Sequence, residues 1–277
     1  VAAGYTHALF FGVDYYTELL DQPALAIPAS TSANINVFAP VYGRVIAPPA
    51  GLALARSLTR QDLKSVSASA QDQVDMDDWS VIAGLRYTDQ QSLFGSEGVL
   101  PITEANWSPK LGLLYRLSGS SGVYANLATG LSPNQVASSS NRSLPSRKAT
   151  QAEAGWKATW LGKQLTSDVA VYHLKQTNMI SADQSTPLNN FDFTVGGSAR
   201  SQGWEASLTG AVTQHLDLAA TYAYTDAGHL QNSLYGGKRV PNVARVGIDA
   251  HSEAATLSAS KRSQIKRSGP FFGYGGG

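Results

Sequence analysis

Residues 203–227 read "GWEASLTGAVTQHLDLAATYAYTDA", two alternating apolar–polar runs around a short polar break at 213–215. In the second run Leu216, Leu218, Ala220, Tyr222 and Tyr224 share one face, and Asp217, Ala219, Thr221, Ala223 and Thr225 share the other. In the first, Trp204, Ala206 and Leu208 lie opposite Gly203, Glu205, Ser207 and Thr209. A period of two belongs to a strand, not a helix. A hairpin patterned this way must set one face against an apolar phase and the other against a wet one.

The pattern recurs along the chain. Leu9, Phe11, Val13 and Tyr15 alternate with Phe10, Gly12, Asp14 and Tyr16. Trp79, Val81, Ala83, Leu85 and Tyr87 do so with Ser80, Ile82, Gly84 and Arg86, and Leu111, Leu113, Tyr115 and Leu117 with Lys110, Gly112, Leu114 and Arg116. Ala152, Ala154, Trp156, Ala158 and Trp160 alternate with Gln151, Glu153, Gly155, Lys157 and Thr159. Val66, Val123 and Val169 head further runs, for about ten segments in all. Most are near the ~10 residues a tilted strand needs to cross a bilayer.

Connections between the runs alternate in length. Tight turns are expected at 76–78, 118–121, 162–164 and 213–215, and long polar stretches at 19–55, 94–105, 135–148, 183–194 and 231–240. Soluble sandwiches mix loop lengths at both ends, whereas transmembrane barrels keep short turns on one side and long loops on the other. Trp and Tyr near the run ends fit two interfacial belts. A soluble β-sandwich is the competing architecture, since its strands alternate as well. Against it, the polar faces carry Arg86, Glu153, Lys157 and Glu205 among small residues, which suits an aqueous lumen.

Composition agrees. Charged residues make up 15% of the 277 residues, against about 25% in a typical soluble domain. No apolar run approaches the ~18 residues of a membrane-spanning helix, so any crossing is made by strands. A net charge of +1 gives no reason to expect a polyanion partner, and the basic run "KRSQIKR" at 261–267 is not read as a nucleic-acid site. With no cysteine, disulfides and thiolate metal sites are excluded. The chain opens on "VAAGYT" with no visible signal peptide, which fits a mature N-terminus or a start partway through a longer protein.

Several stretches resemble the barrel of TonB-dependent outer-membrane receptors, in particular the ferric-siderophore branch. These are "HALFFGVDYY" at 7–16, "INVFAPVYG" at 35–43 and "WSVIAGLRYTD" followed by "WSPKLGLLYRLSGSSGVYANLATGLSPN". After them come "ATQAEAGWKATWLGKQLTSDVAVYHLKQTNM", "ARSQGWEASLTGAVTQHLDLAATYAYTDA" and "GGKRVPNVAR". The ordered series covers residues 3–245. The resemblance implies an all-β, antiparallel transmembrane β-barrel of some 22 strands with a plugged lumen. About ten of those strands would be present, as a partial barrel at 1–245. It implies import of ferric siderophores across the bacterial outer membrane, driven by a TonB complex acting through a plug domain that this chain does not resemble anywhere. The stretch 246–277 departs from the family and reads as an atypical tail from a truncated or frame-shifted end, with a divergent strand at 246–254 as the open alternative.

Catalytic signals are thin. The five histidines, His7, His173, His215, His229 and His251, are scattered, with no His-x-x-x-His pair and no phosphate or nucleophile-elbow motif. No enzyme activity, cofactor or metal site is expected. Inward carboxylates such as Glu153 and Glu205 are expected to pair with Lys157, Arg86 or Arg116. Bulky polar chelates call for aromatic faces and a few cations at the mouth, so Phe38, Tyr42 and Arg44 in one long loop and Tyr235, Lys238 and Arg239 in another are the candidate ligand contacts. A self-contained small outer-membrane barrel, either a porin or a protease- or lipase-type enzyme, is the alternative reading.

Overall fold

The computed structural model describes residues 4–26, 38–40, 55–138, 140–185, 192–213, 215–232 and 234–254. Tyr42 and Arg44 lie outside these residues. The described residues form ten strands: β1 (Tyr5–Ala26), β2 (Ala55–Met76), β3 (Trp79–Gly95), β4 (Ile102–Ser118), β5 (Ser121–Ser132), β6 (Arg147–Trp160), β7 (Leu165–Ala182), β8 (Phe193–Thr213), β9 (Leu216–Gln231) and β10 (Val246–Ala254). They make one antiparallel sheet in strict sequence order. It does not close on itself, because β1 and β10 each pair on one side only among the described residues.

Register shows that the alternating runs belong together. Residues paired across strands point to the same face. From His7 on β1, one register row crosses the whole sheet through Val74, Val81, Leu113, Ala125, Ala154, Val171, Trp204, Tyr224 and Val246. The neighbouring row, on the other face, runs through Gln73, Ile82, Gly112, Asn126, Glu153, Tyr172, Gly203 and Thr225. A one-residue slip in any strand would put that strand's apolar set on the polar face, so the pattern specifies the register. The expected apolar face is therefore continuous across ten strands.

Among the described residues, none forms a protein core behind this face. Phe11, Val13, Trp107, Leu111 and Ile248 on it are all more than half exposed. Buried apolar side chains among the described residues are few: Phe94, Val99 and Leu144 near one rim, and small alanines. A bare apolar face this wide marks a phase boundary rather than a packed interior. On the β3–β4 hairpin two cross-strand aromatic pairs bracket it, Trp79 with Tyr115 at 4.5 Å between ring centroids and Tyr87 with Trp107 at 4.8 Å. Along β3 the two pairs are separated by the rise of residues 79 to 87, about 26 Å of strand at ~3.3 Å per residue. Once tilted, that length spans most of the roughly 25 Å apolar band of an outer-membrane barrel.

Turns sort by end. The strand ends joined by the short connections 77–78, 119–120, 161–164 and 214–215 all lie at one edge, and those joined by the longer connections 27–54, 96–101, 133–146, 183–192 and 232–245 all lie at the other. The alternation read from the sequence holds, but two boundaries move. β1 continues to Ala26, because Leu19, Asp21 and Pro23 still find partners in Gln61's strand, with Asp21 opposite Arg60. β3 and β4 likewise extend into the expected loop, leaving only 96–101 as connection. At the other end of the chain 246–254 forms β10, the strand alternative, with Ile248 opposite Tyr222; residues 255–277 lie outside the described set.

Candidate functional site

The inward face is a lattice of polar side chains running from mid-strand to the tight-turn end. Lys157 lies opposite Asp168 with Nζ 3.3 Å from the carboxylate, Arg86 reaches Asp14 at 2.9 Å, and Arg116 reaches Asp75 at 3.5 Å. Glu153 does not take any of the cations expected for it. It accepts the Tyr124 hydroxyl at 2.8 Å and the Gln151 amide at 3.2 Å, while the Lys157 ammonium sits 4.9 Å from the Tyr124 ring centroid. Tyr124 stands diagonally across on β5, opposite Gly155, and Gln151 two residues back on the same strand, and both reach the carboxylate before the cations do. Such half-exposed pairs add little stability each, but together they line a wet lumen.

Above this lattice, the 133–146 connection folds inward over β3 and β4. Ser146 is fully buried. Its amide and hydroxyl both donate to Glu104 Oε2, at 2.9 and 2.6 Å, and its hydroxyl accepts from Gln90 at 2.6 Å. Asn134 donates to the carbonyls of Pro145 and Asn178 at 2.6 and 2.8 Å, and Asn178 returns a bond to the Ser146 carbonyl at 3.0 Å. Phe94 N–H donates to the Ser143 hydroxyl at 3.0 Å. These two asparagines are the ones in "GLSPN" and "KQTN". Side-chain amides standing in for backbone partners make this a clamp that holds the connection against the sheet.

The second structured part of the mouth comes from 232–245. This connection doubles back along β9: His229 N–H donates to Lys238 O, Gly237 N–H to His229 O, and Val240 N–H to Ala227 O. The turn brings Tyr235 to 6.0 Å from the His229 ring, and Lys238 Nζ to 6.0 Å from the Tyr235 ring. His229 pairs with inward Ala199, so this aromatic–cation group stands on the lumen side. The His229 Nδ1 is buried and has no hydrogen-bond partner among the described residues.

Tyr235 and Lys238 are thus brought together, with Tyr235 about half exposed. Arg239 is not with them. It bridges to Gly228, which pairs with outward Arg200, so its register position is on the outer face. Phe38 is fully exposed, far along the chain from this group. His229 was passed over in the sequence because its partners arrive from the loop that follows; only the hairpin-like spacing of "GGKR" after β9 hints at the return. Among the described residues no group of histidine and carboxylate side chains could hold a metal.

A family model described as TonB dependent receptor-like, beta-barrel matches residues 1–250. The metal-pseudopaline receptor CntO of Pseudomonas aeruginosa is 28% identical over 251 residues, covering 86% of this chain and 34% of that protein. The ferrioxamine B receptor of Salmonella typhimurium is 27% identical over 233 residues, 82% of this chain and 31% of that protein. Among solved structures, the siderophore receptor PiuA from Acinetobacter baumannii superposes with a TM-score of 0.73 at 16% identity, covering 91% of this chain and 42% of that one. This chain spans about a third of the length of the curated relatives it matches.

Proposed function

The chain belongs to the TonB-dependent receptor β-barrel family, and on that premise we propose that it supplies wall and mouth to an outer-membrane receptor that captures and imports a ferric-siderophore complex. The family is one of transport receptors rather than enzymes, and its barrels reside in the bacterial outer membrane. The observation that carries the proposal is the polarity of the sheet. Every long connection, and with them the His229–Tyr235–Lys238 group, gathers at the end opposite the tight turns. A metal chelate offers carbonyl and carboxylate or phenolate oxygens around an organic scaffold. An aromatic face beside an ammonium group suits that chemistry. The ligands named for the relatives, metal-pseudopaline and ferrioxamine B, are metal chelates of this general kind.

In this reading Tyr235, Lys238 and His229 contact the ligand, together with Phe38, Tyr42 and Arg44 of the 27–54 connection, while Arg239 serves the outer face. Import is coupled to a TonB complex through a plug in the complete receptor, since a wide unplugged lumen would leak. The test is uptake of labelled ferric siderophores in an iron-starved host lacking its own receptors. Uptake that requires TonB supports the proposal, and uptake that persists without it points to a porin. Replacing Tyr235 and Lys238 together by Ala is expected to weaken binding by about 1–3 kcal/mol, the range for aromatic and charged contacts.

A further inference from the structure

On β1 to β4 the outward face is interrupted at mid-height by an ionisable pair. His7 Nδ1 and Asp72 Oδ2 lie 2.7 Å apart, and both side chains are partly exposed. Asp72 pairs with Leu9 on one side and Ala83 on the other. Ala83 stands midway along β3 between Trp79 and Tyr87, which belong to the two aromatic pairs. The other outward residues in the three rows between those aromatics, from Val74, Val81 and Leu113 up to Ala70, Leu85 and Pro109, are all apolar. Among the described residues Asp72 Oδ1 is buried without a hydrogen-bond partner, and none takes the second ring nitrogen of His7. An ionisable pair at that depth is costly on a lipid-facing surface, and hydrocarbon offers nothing to complete it.

Beside the pair the surface has relief. Leu9, Phe11 and Val13 on β1 are each more than half exposed and form a ridge. Ala68 and Ala70, opposite Val13 and Phe11 on β2, floor a trough of about 640 Å³ that Leu85 and Tyr87 bound on the far side. We propose that this face of β1 and β2 is the contact between two copies of the complete receptor within the outer membrane. A two-fold axis along the membrane normal keeps every residue at its own depth, so the His7–Asp72 pair of one copy meets that of the other. Each imidazole can then reach the carboxylate across the axis, and two pairs of opposite charge complete one another away from lipid. The same rotation exchanges ridge and trough. Phe11 of one copy settles over Ala70 of the second, where small side chains let the two sheets approach closely. A lipid chain fills the trough equally well but brings no polar group to the depth of the pair.

The complete receptor, labelled once per chain and diluted in bilayers, is counted by single-molecule photobleaching. Wild type is expected to bleach mainly in two steps. A70W fills the trough, and H7L/D72L replaces both members of the pair so that no lone charge remains. Each is expected to weaken association at least about tenfold, and heat-modifiable migration on gels checks that each variant is folded. In a background without other cysteines, protomers carrying F11C should form disulfides with co-reconstituted protomers carrying A70C, and not with those carrying V171C on β7. One-step bleaching by folded wild type at every density overturns the contact. A lipid held in the trough of such a monomer, read by native mass spectrometry, would give the face to lipid instead. Association unchanged in folded A70W and H7L/D72L, or disulfides formed only through V171C, overturns its placement on β1 and β2.

Discussion

Ala152 and Ala154 on β6 turn outward with no polar group to satisfy, whereas at Ser146, just before the same strand, the amide, hydroxyl and carbonyl are all bonded. The wall and the clamp share a strand but obey different requirements. Along the interior strands of the wall the backbone ladder satisfies the main-chain groups, so a side chain there need only suit the phase it faces. In the clamp the chain leaves the ladder, and each freed group needs a particular partner in a particular place. Tolerance to substitution should therefore follow residue class in the first region and residue identity in the second.

The largest effect is expected from a charge on the outer face of the wall. Leu111→Arg or Ala154→Arg should cost about 2–4 kcal/mol near the band's middle, measured by urea titration of the receptor in lipid vesicles. Asn126→Arg, on the inward row, should cost far less. Equal costs would remove the distinction between the faces.

Next comes a single methyl on the inward side of β8. A Cβ at Gly203 would run into the Tyr224 carbonyl oxygen, beneath the Tyr172 hydroxyl that reaches across to Thr225 at 2.8 Å. Gly203→Ala should destabilise by about 1–3 kcal/mol, as overpacking does. Gly130→Ala, where a Cβ meets nothing within 4 Å, should be close to neutral in the same titration.

In the clamp, Ser146→Ala strips Glu104 of a buried donor and leaves Gln90 without its acceptor. The cost is about 1–3 kcal/mol, but it should be local. Limited proteolysis within 133–146 should accelerate while assembly of the wall is unchanged. Loss of assembly would mean that clamp and wall fold as one unit. Smallest of all, Asp14→Asn breaks the half-exposed pair with Arg86 and should change stability by less than about 1 kcal/mol.

The same division explains what could be read from the sequence. Phase is encoded residue by residue, so the alternation in "AEAGWKATW" was enough to assign the two faces of β6 and, by repetition, the sheet. The length of β1 was not legible, because Leu19 to Pro23 lack clean alternation and are held as strand by their partners on β2. Charge alone matches Glu153 to a cation, whereas the group that reaches it is Tyr124, diagonally across on β5. Asn134 and Asn178 stood out within motifs, but their role depends on a loop returning to Pro145 and Ser146. Tyr235 and Lys238 are candidates on composition alone, while the place of His229 beside them depends on the backbone return at Gly237 and Lys238. Arg239 was grouped with them by proximity in sequence and separated from them by its bridge to Gly228.

The central claim is that one face of this sheet meets lipid and the other water. The chain contains no cysteine, so single cysteines placed at successive positions of 151–158 on β6 can each carry a spin label in the complete receptor reconstituted in bilayers. Collision with molecular oxygen, which concentrates in lipid, and with a water-soluble nickel chelate is then measured site by site. The account predicts strict alternation, with labels at Ala152, Ala154, Trp156 and Ala158 favouring oxygen and labels at Gln151, Glu153, Gly155 and Lys157 favouring nickel. Nickel accessibility at every site, or accessibility without a period of two, would contradict it.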